Sequence, residues 1–188
     1  MLTQAKKFLP ALLAIGAMSQ AAACRVDNAF VSGKVVERDR SNKDFTKIEV
    51  SDNFTAYITQ GEAYSVKVKA RKSVQDNIKV HQTGEKLSIK VTGDMLVGGR
   101  MTVNITMPIL EELQVKDNAE VFVRGEWSGA VDLAASSNAT LAVDGYISDL
   151  RLSLIDNAGA DTKNLKTGAC SSKVGSNASL NQGPEGSC

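Results

Sequence analysis

From Phe45 onward apolar and polar residues alternate in short runs. Phe45-Thr46-Lys47-Ile48-Glu49-Val50, Phe54 to Ile58 and Tyr64 to Ala70 step in twos, and so do Ile78 to His81, Leu87 to Val91 and Met101 to Met107. Gly61, Gly84, Gly93 and Gly98-Gly99 break the runs. Period-two alternation rich in β-branched residues, punctuated by glycine, predicts half-buried strands. No stretch beyond the first 23 residues sustains a 3.6-residue period, so the pattern predicts an all-β protein.

A second periodicity is laid over the first in the C-terminal half. Asp117-Asn118-Ala119, Ser137-Asn138-Ala139, Asp156-Asn157-Ala158 and Ser176-Asn177-Ala178 place asparagines 20, 19 and 20 residues apart. Leu113, Leu133 and Leu152 each sit five residues before an Asn, and Val115, Ala135, Leu154 and Val174 each sit three before. Val121, Leu141, Ala160 and Leu180 follow three after, while Gly125 and Gly145 follow seven after the first two. A fixed period near 20 with apolar positions in step predicts a β-solenoid, whose coils of about 20 residues stack at the strand spacing of about 4.8 Å. Equivalent side chains then lie one above another. Asn118, Asn138, Asn157 and Asn177 are expected to form a structural ladder, because Asn both donates and accepts and tolerates the left-handed backbone of a sharp corner. Two functional readings compete with the ladder. Asn138-Ala139-Thr140 and Asn177-Ala178-Ser179 match an N-glycosylation sequon, and Asp117 and Asp156 raise calcium, although the glycine-rich calcium nonapeptide is absent.

The N-terminus has a different grammar. Lys6 and Lys7 precede the apolar run Phe8 to Met18, and small residues fill Ser19 to Ala23. That order is the signature of a secretory signal peptide over residues 1–23, and the apolar run is too short to span a bilayer. Cys24 directly follows Ala21-Ala22-Ala23, which resembles a bacterial lipobox, with Ala21 where Leu is usual. Acylation of Cys24 is the expectation, with ordinary cleavage in the alanine run as the alternative. Residues 24–44 are polar and aperiodic and read as a tether. If Cys24 is acylated, Cys170 and Cys188 remain as an even pair in an oxidising compartment, where a disulfide is the default and free thiols or an intermolecular bridge the alternative.

Composition narrows the chemistry further. The 188 residues carry 22 basic and 21 acidic side chains, and loss of Lys6 and Lys7 with the leader leaves 20 against 21. With no basic block, nucleic acid is not an expected partner, and membrane attachment is expected only through the lipid. One His and three Cys are too few for a Cys/His zinc site, so neither a metal nor a cofactor is implied. Asp132, Asp144, Asp149, Asp156 and Asp161 fall at different phases of the coil, which argues against a paired-carboxylate site. His81 reads as a solvated strand residue, and neither a nucleophile elbow nor a phosphate loop occurs. Among Tyr57, Tyr64, Trp127 and Tyr146, the pair Trp127 and Tyr146 fall nine and eight residues after their asparagines in adjacent coils. They are the candidate ligand platform, or else pack beneath a loop.

Several segments resemble one family in order along the chain. Phe45 to Val50, followed by Asp52-Asn53-Phe54-Thr55-Ala56-Tyr57-Ile58-Thr59-Gln60-Gly61, and the passage Val103 to Val115 through Pro108, are similar to the auto-transporter adhesin head GIN domain. The resemblance runs from about Phe45 to Asn181, within a domain expected over residues 45–188. It implies a right-handed parallel β-helix, common in Bacteroidetes-type bacteria and often found as a surface or periplasmic lipoprotein. The family's repeat usually reads Ser-Gly-Ala-Ser-like where this chain has Asn-Ala, and closure of the last coil would fall to Cys170 and Cys188. No catalytic residue is established for the family, so none is carried over.

Two functional classes follow. The first is an exported, non-catalytic, adhesin-like protein of the cell envelope, in the periplasm or on the outer-membrane surface, with a glycan or a cell-surface or matrix protein as partner. The second is a carbohydrate-binding or polysaccharide-active protein on the same scaffold, which requires a groove lined by acids and by Trp127 or Tyr146.

Overall fold

A computed structural model describes residues 33–93 and 99–183. The leader, Cys24 and Cys188 lie outside the described residues. The strands are β1 (Val35–Arg40), β2 (Lys47–Val50), β3 (Phe54–Gln60), β4 (Ser65–Arg71), β5 (Ile78–Thr83), β6 (Lys86–Val91) and β7 (Met101–Met107). They continue with β8 (Glu112–Val115), β9 (Glu120–Ala135), β10 (Thr140–Leu154), β11 (Gly159–Thr162), β12 (Leu165–Val174) and β13 (Ser179–Gln182). All thirteen join one sheet, rolled into a nearly closed, barrel-like wall around a single apolar interior.

Two rows of parallel strands make up most of that wall. In the first row Leu87, Ile48, Leu113, Leu133 and Leu152 are successive register partners, and Ile89, Val50, Val115, Ala135, Leu154 and Val174 form the next column. In the second row Val103, Ala56, Val121, Leu141, Ala160 and Leu180 stand in line. These columns point inward because strand side chains alternate sides, and each fully buried Leu or Val is worth roughly 1.5–3 kcal/mol relative to exposure. Burial is complete through Leu154 and fades at the last strand, where Val174 is 43% exposed.

The corners between the rows are tight turns with left-handed backbone. Asp117 and Asn118, Ser137 and Asn138, and Asp156 and Asn157 all have φ between 52° and 64°. The amides of Ala119, Ala139 and Ala158 close these three turns onto the carbonyls of Lys116, Ser136 and Ile155 at 3.1–3.2 Å, and the Ala178 amide makes the equivalent bond to Gly175 at the fourth corner. Two consecutive positive φ values are the signature of a type I′ turn, for which Asn and Asp are among the few suitable residues. Ala119, Ala139 and Ala158 are fully buried, so a larger side chain has no room there.

The uneven spacing of the asparagines has a local cause. β9 and β10 run in step at an offset of 20 residues up to Trp127 and Ile147, then at 19 from Ala130 and Asp149. The shift is a β-bulge in β9 at Ser128-Gly129, facing the single residue Ser148 of β10.

Two expectations are corrected by the N-terminal half. An all-parallel solenoid is not what forms there: the sheet is mixed, with β1–β4, β4–β7 and β5–β6 antiparallel. The β5–β6 hairpin turns at Gly84, whose φ is 57°. Gly61 lets the chain leave β3 past β7, since a Cβ on it would lie 2.6 Å from the Thr106 methyl. The tether reading of residues 24–44 also fails for its later part, because Val35–Arg40 is an edge strand on β4. The buried Gln75 helps hold it, its Nε2 donating to the carbonyls of Val36 at 2.9 Å and Val68 at 3.1 Å. The strand was illegible because its side chains stay at least partly exposed, so no apolar face marks it.

Candidate functional site

Residues that alternate with the inward columns build two outward faces. On the second row Asn104, Tyr57, Phe122, Ala142, Asp161 and Asn181 are successive register partners. The Tyr57 and Phe122 rings stack with centroids 5.1 Å apart and planes 12° apart, and Tyr57 is 43% exposed. Ala142 comes next to Phe122, and its short side chain opens a depression of about 230 Å³. Glu120, Thr140 and Gly159 border it along one side, and Asp161 and Ser179 close its far end. Asp161 is positioned by the Lys163 amide at 3.0 Å and by Asn181 Nδ2 at 3.4 Å. On the other flank Arg124 pairs with Asp144 at 3.1 Å, and Asn164 Nδ2 donates to the same carboxylate at 3.3 Å.

The first row carries a larger, wholly polar-rimmed groove of about 420 Å³. Its floor is Leu133, Ala134 and Leu152, and its rim includes Glu112, Asp132, Arg151 and Lys173. Arg151 grips Asp132 with two nitrogens, and that hydrogen-bonded pairing holds the guanidinium pKa above its ordinary value. Gln114 donates to Glu112 at 2.5 Å, so both carboxylates of this groove are already engaged. Further down the row Glu49 lies between Lys86 at 2.6 Å and Lys116 at 3.4 Å, and the Lys86 hydrogen bond is the main cause of its lowered pKa.

The proposed platform of Trp127 and Tyr146 is not a platform. Trp127 is 2% exposed and lies inside, whereas Tyr146 is 39% exposed outside. Their offsets of nine and eight residues differ by one, so in the aligned ladder Tyr146 stands beside Glu126 and Trp127 beside Ile147. One residue of difference puts two strand side chains on opposite faces. The asparagines sit at the corners, and what links them is mostly backbone. The Asn118 and Asn138 amides donate to the carbonyls of Ser137 and Asp156 at 3.1 Å, while Asn157 Nδ2 reaches Asn138 Oδ1 at 3.3 Å. Asn177 occupies the fourth corner, before the half-buried Ala178. Cys170 is half-buried on β12 and packs against the core, while Cys24 and Cys188 lie outside the described residues. Among the described residues no three His, Cys, Asp or Glu converge as metal ligands.

The residues missed by sequence reasoning are Phe122 and its partnership with Tyr57. Both occupy outward positions of alternating runs, which was visible; their juxtaposition across 65 residues was not.

A family model described as "Putative auto-transporter adhesin, head GIN domain" matches residues 44–187. This chain belongs to that head GIN family. Solved structures agree with its fold at low identity. A "putative adhesin" from Parabacteroides distasonis is 13% identical, with a TM-score of 0.51, covering 81% of this chain and 83% of that one. Another "putative adhesin", from Parabacteroides merdae, is 14% identical with a TM-score of 0.50, covering 80% of this chain and 81% of that one. No curated protein matches. The head GIN assignment covers both outward faces, the Tyr57–Phe122 stack and the groove around Arg151 alike.

Proposed function

We propose that this head GIN protein is an exported, lipid-anchored, non-catalytic adhesin of the cell envelope, which meets a surface partner through the outward face of its second row. The observation that carries this reading is the Tyr57–Phe122 stack, an exposed tyrosine ring lying on a half-buried phenylalanine, on an outward face whose other residues are short or polar. Aromatic residues are enriched at recognition surfaces, where they bury area with little loss of side-chain freedom. The engagement of Glu112 by Gln114 and of Asp132 by Arg151 supports a binding role over an acid–base one.

The finer organisation follows the same reading. Residues 1–23 form the signal peptide, Cys24 takes the lipid, and a tether runs from it to β1. The domain, residues 45–188 together with the edge strand β1, is built from Glu112 onward as a right-handed parallel β-helix, which the continuous Val115–Ala135–Leu154–Val174 column supports. Cys170 and Cys188 pair to close the last coil, restraining it at the point where core burial fades.

The mature domain, arrayed against glycans and matrix proteins, is expected to bind at least one class, and Tyr57→Ala with Phe122→Ala to weaken it. Absence of binding to every glycan and protein, with folded domain verified, overturns the adhesin reading. Cells fed a fatty-acid analogue are expected to label the wild-type chain and not Cys24→Ser. Unlabelled wild type removes the anchor.

A further inference from the structure

We propose that the depression between Phe122 and Asp161 is a subsite for one neutral pyranose ring of a glycan, stacked on the free face of Phe122. This rests on the adhesin reading and names the ligand class for it. One face of the Phe122 ring is covered by Tyr57 at a centroid distance of 5.1 Å, so only the opposite face is open, toward Ala142. Phe122 and Asp161 are two strands apart across Ala142, which sets their backbones about 9–10 Å from each other. Ala142 projects a single carbon into that interval. The gap is therefore bounded by an aromatic face at one end and a carboxylate at the other, over a floor of Ala142.

The chemistry of the walls selects the ligand. An aromatic face is electron-rich and favours the weakly positive C–H groups on the flat side of a sugar ring. Around the ring's rim, Asp161 and Glu120 accept hydrogen bonds, and the Thr140 and Ser179 hydroxyls both donate and accept. Vicinal hydroxyl groups supply donors at the spacing such a rim needs. Glu120 and Asp161 disfavour an anionic sugar by like-charge repulsion. Arg124, on the neighbouring flank, is paired with Asp144 at 3.1 Å. A volume of about 230 Å³ lies below the range of roughly 300–1,000 Å³ usual for drug-sized ligands, which fits one ring rather than a larger molecule. The open flank lets that ring belong to a longer chain lying across the strands.

The larger groove around Arg151 lacks these elements. Glu112 is held by Gln114 and Asp132 by Arg151, and among the described residues no aromatic side chain lines it.

The test is an amide-detected NMR titration of the mature protein with methyl glycosides of neutral hexoses, with a sialylated oligosaccharide as the anionic comparison. At least one neutral glycoside is expected to bind in the millimolar range, as befits a single ring, and to shift Phe122, Ala142 and Asp161 together. Phe122→Ala is expected to weaken it about tenfold and Ala142→Leu, which fills the gap without touching the core, to abolish it. Asp161→Asn is expected to weaken it several-fold, and Tyr146→Ala to leave it unchanged. Saturable binding that survives Ala142→Leu, preference for the anionic sugar, or no shift at these residues with any neutral glycoside overturns the subsite. If that happens while the domain still binds a matrix protein on the array, the adhesin reading stands and the glycan subsite alone falls.

Discussion

Gly145 lies so close to Gly125 that a Cβ built on it would sit 2.2 Å from the Gly125 carbonyl oxygen. The two are register partners in β9 and β10, and Gly145 has a φ of 108°, in the region that glycine alone enters freely. Both strands leave the second row here, and bare backbone is what lets them stay in register at so close an approach. Gly145→Ala is expected to lose about 2–4 kcal/mol in denaturant unfolding, from backbone strain plus displacement of a neighbouring peptide. Gly129→Ala is the comparison, because nothing lies within 4 Å of its Cβ position, and it is expected to change stability by no more than about 1 kcal/mol.

At the corners, conformation matters more than the side-chain hydrogen bond. Asn138 has a φ of 64°, and its link to Asn157 is an exposed contact of 3.3 Å. Asn138→Ala is expected to cost about 1–2 kcal/mol, the penalty for left-handed backbone in a residue with a plain Cβ. Asn138→Gly is expected to cost less, although it deletes the same hydrogen bond. The opposite ranking in thermal unfolding of the two variants would make the side-chain ladder the main stabiliser instead.

The sequence made some of this architecture readable and hid the rest for definite reasons. Leu113, Leu133 and Leu152 were legible as one column because, in a parallel stack of equal coils, sequence period and spatial register are the same quantity. β8 packing against β2 was not legible. Period-two alternation says which face a residue takes and nothing about which strand lies alongside. β2 sits between β6 and β8, so neighbours in the wall come from distant parts of the chain. The same limit hid the Tyr57–Phe122 pair. Trp127 and Tyr146 are separated for a different reason: their distances from the corner differ by one residue, and that parity sends them to opposite faces.

The Trp127 indole is buried, and among the described residues its Nε1 has no hydrogen-bond partner. Burying an unpaired N–H subtracts from what the ring's apolar area contributes. Trp127→Phe is therefore expected to cost little, about 1 kcal/mol or less, while Trp127→Ala loses about 3–5 kcal/mol by opening a cavity. As the chain's one tryptophan, Trp127 also provides the fluorescence signal for wild-type unfolding, so the variants are best followed by circular dichroism.

Acid stability should depend on Glu49. Lys86 on β6 and Lys116, just past the end of β8, both hold this carboxylate, and the Lys86 hydrogen bond is the leading cause of its lowered pKa. A folded-state pKa below the unfolded one means the unfolded chain takes up the proton first. The stabilisation is then fully present above the ordinary value of 4.5 and is lost as pH falls through the lower, folded-state value. Because the pair is only partly shielded from water, about 1 kcal/mol or less is at stake. Glu49→Gln is expected to be less stable than wild type at neutral pH and to converge on it as the medium is acidified below 4.5, read from urea midpoints across that range. A constant difference across the titration would mean that Glu49 acts through packing between Ser88 and Gln114, its ladder neighbours, rather than through its charge.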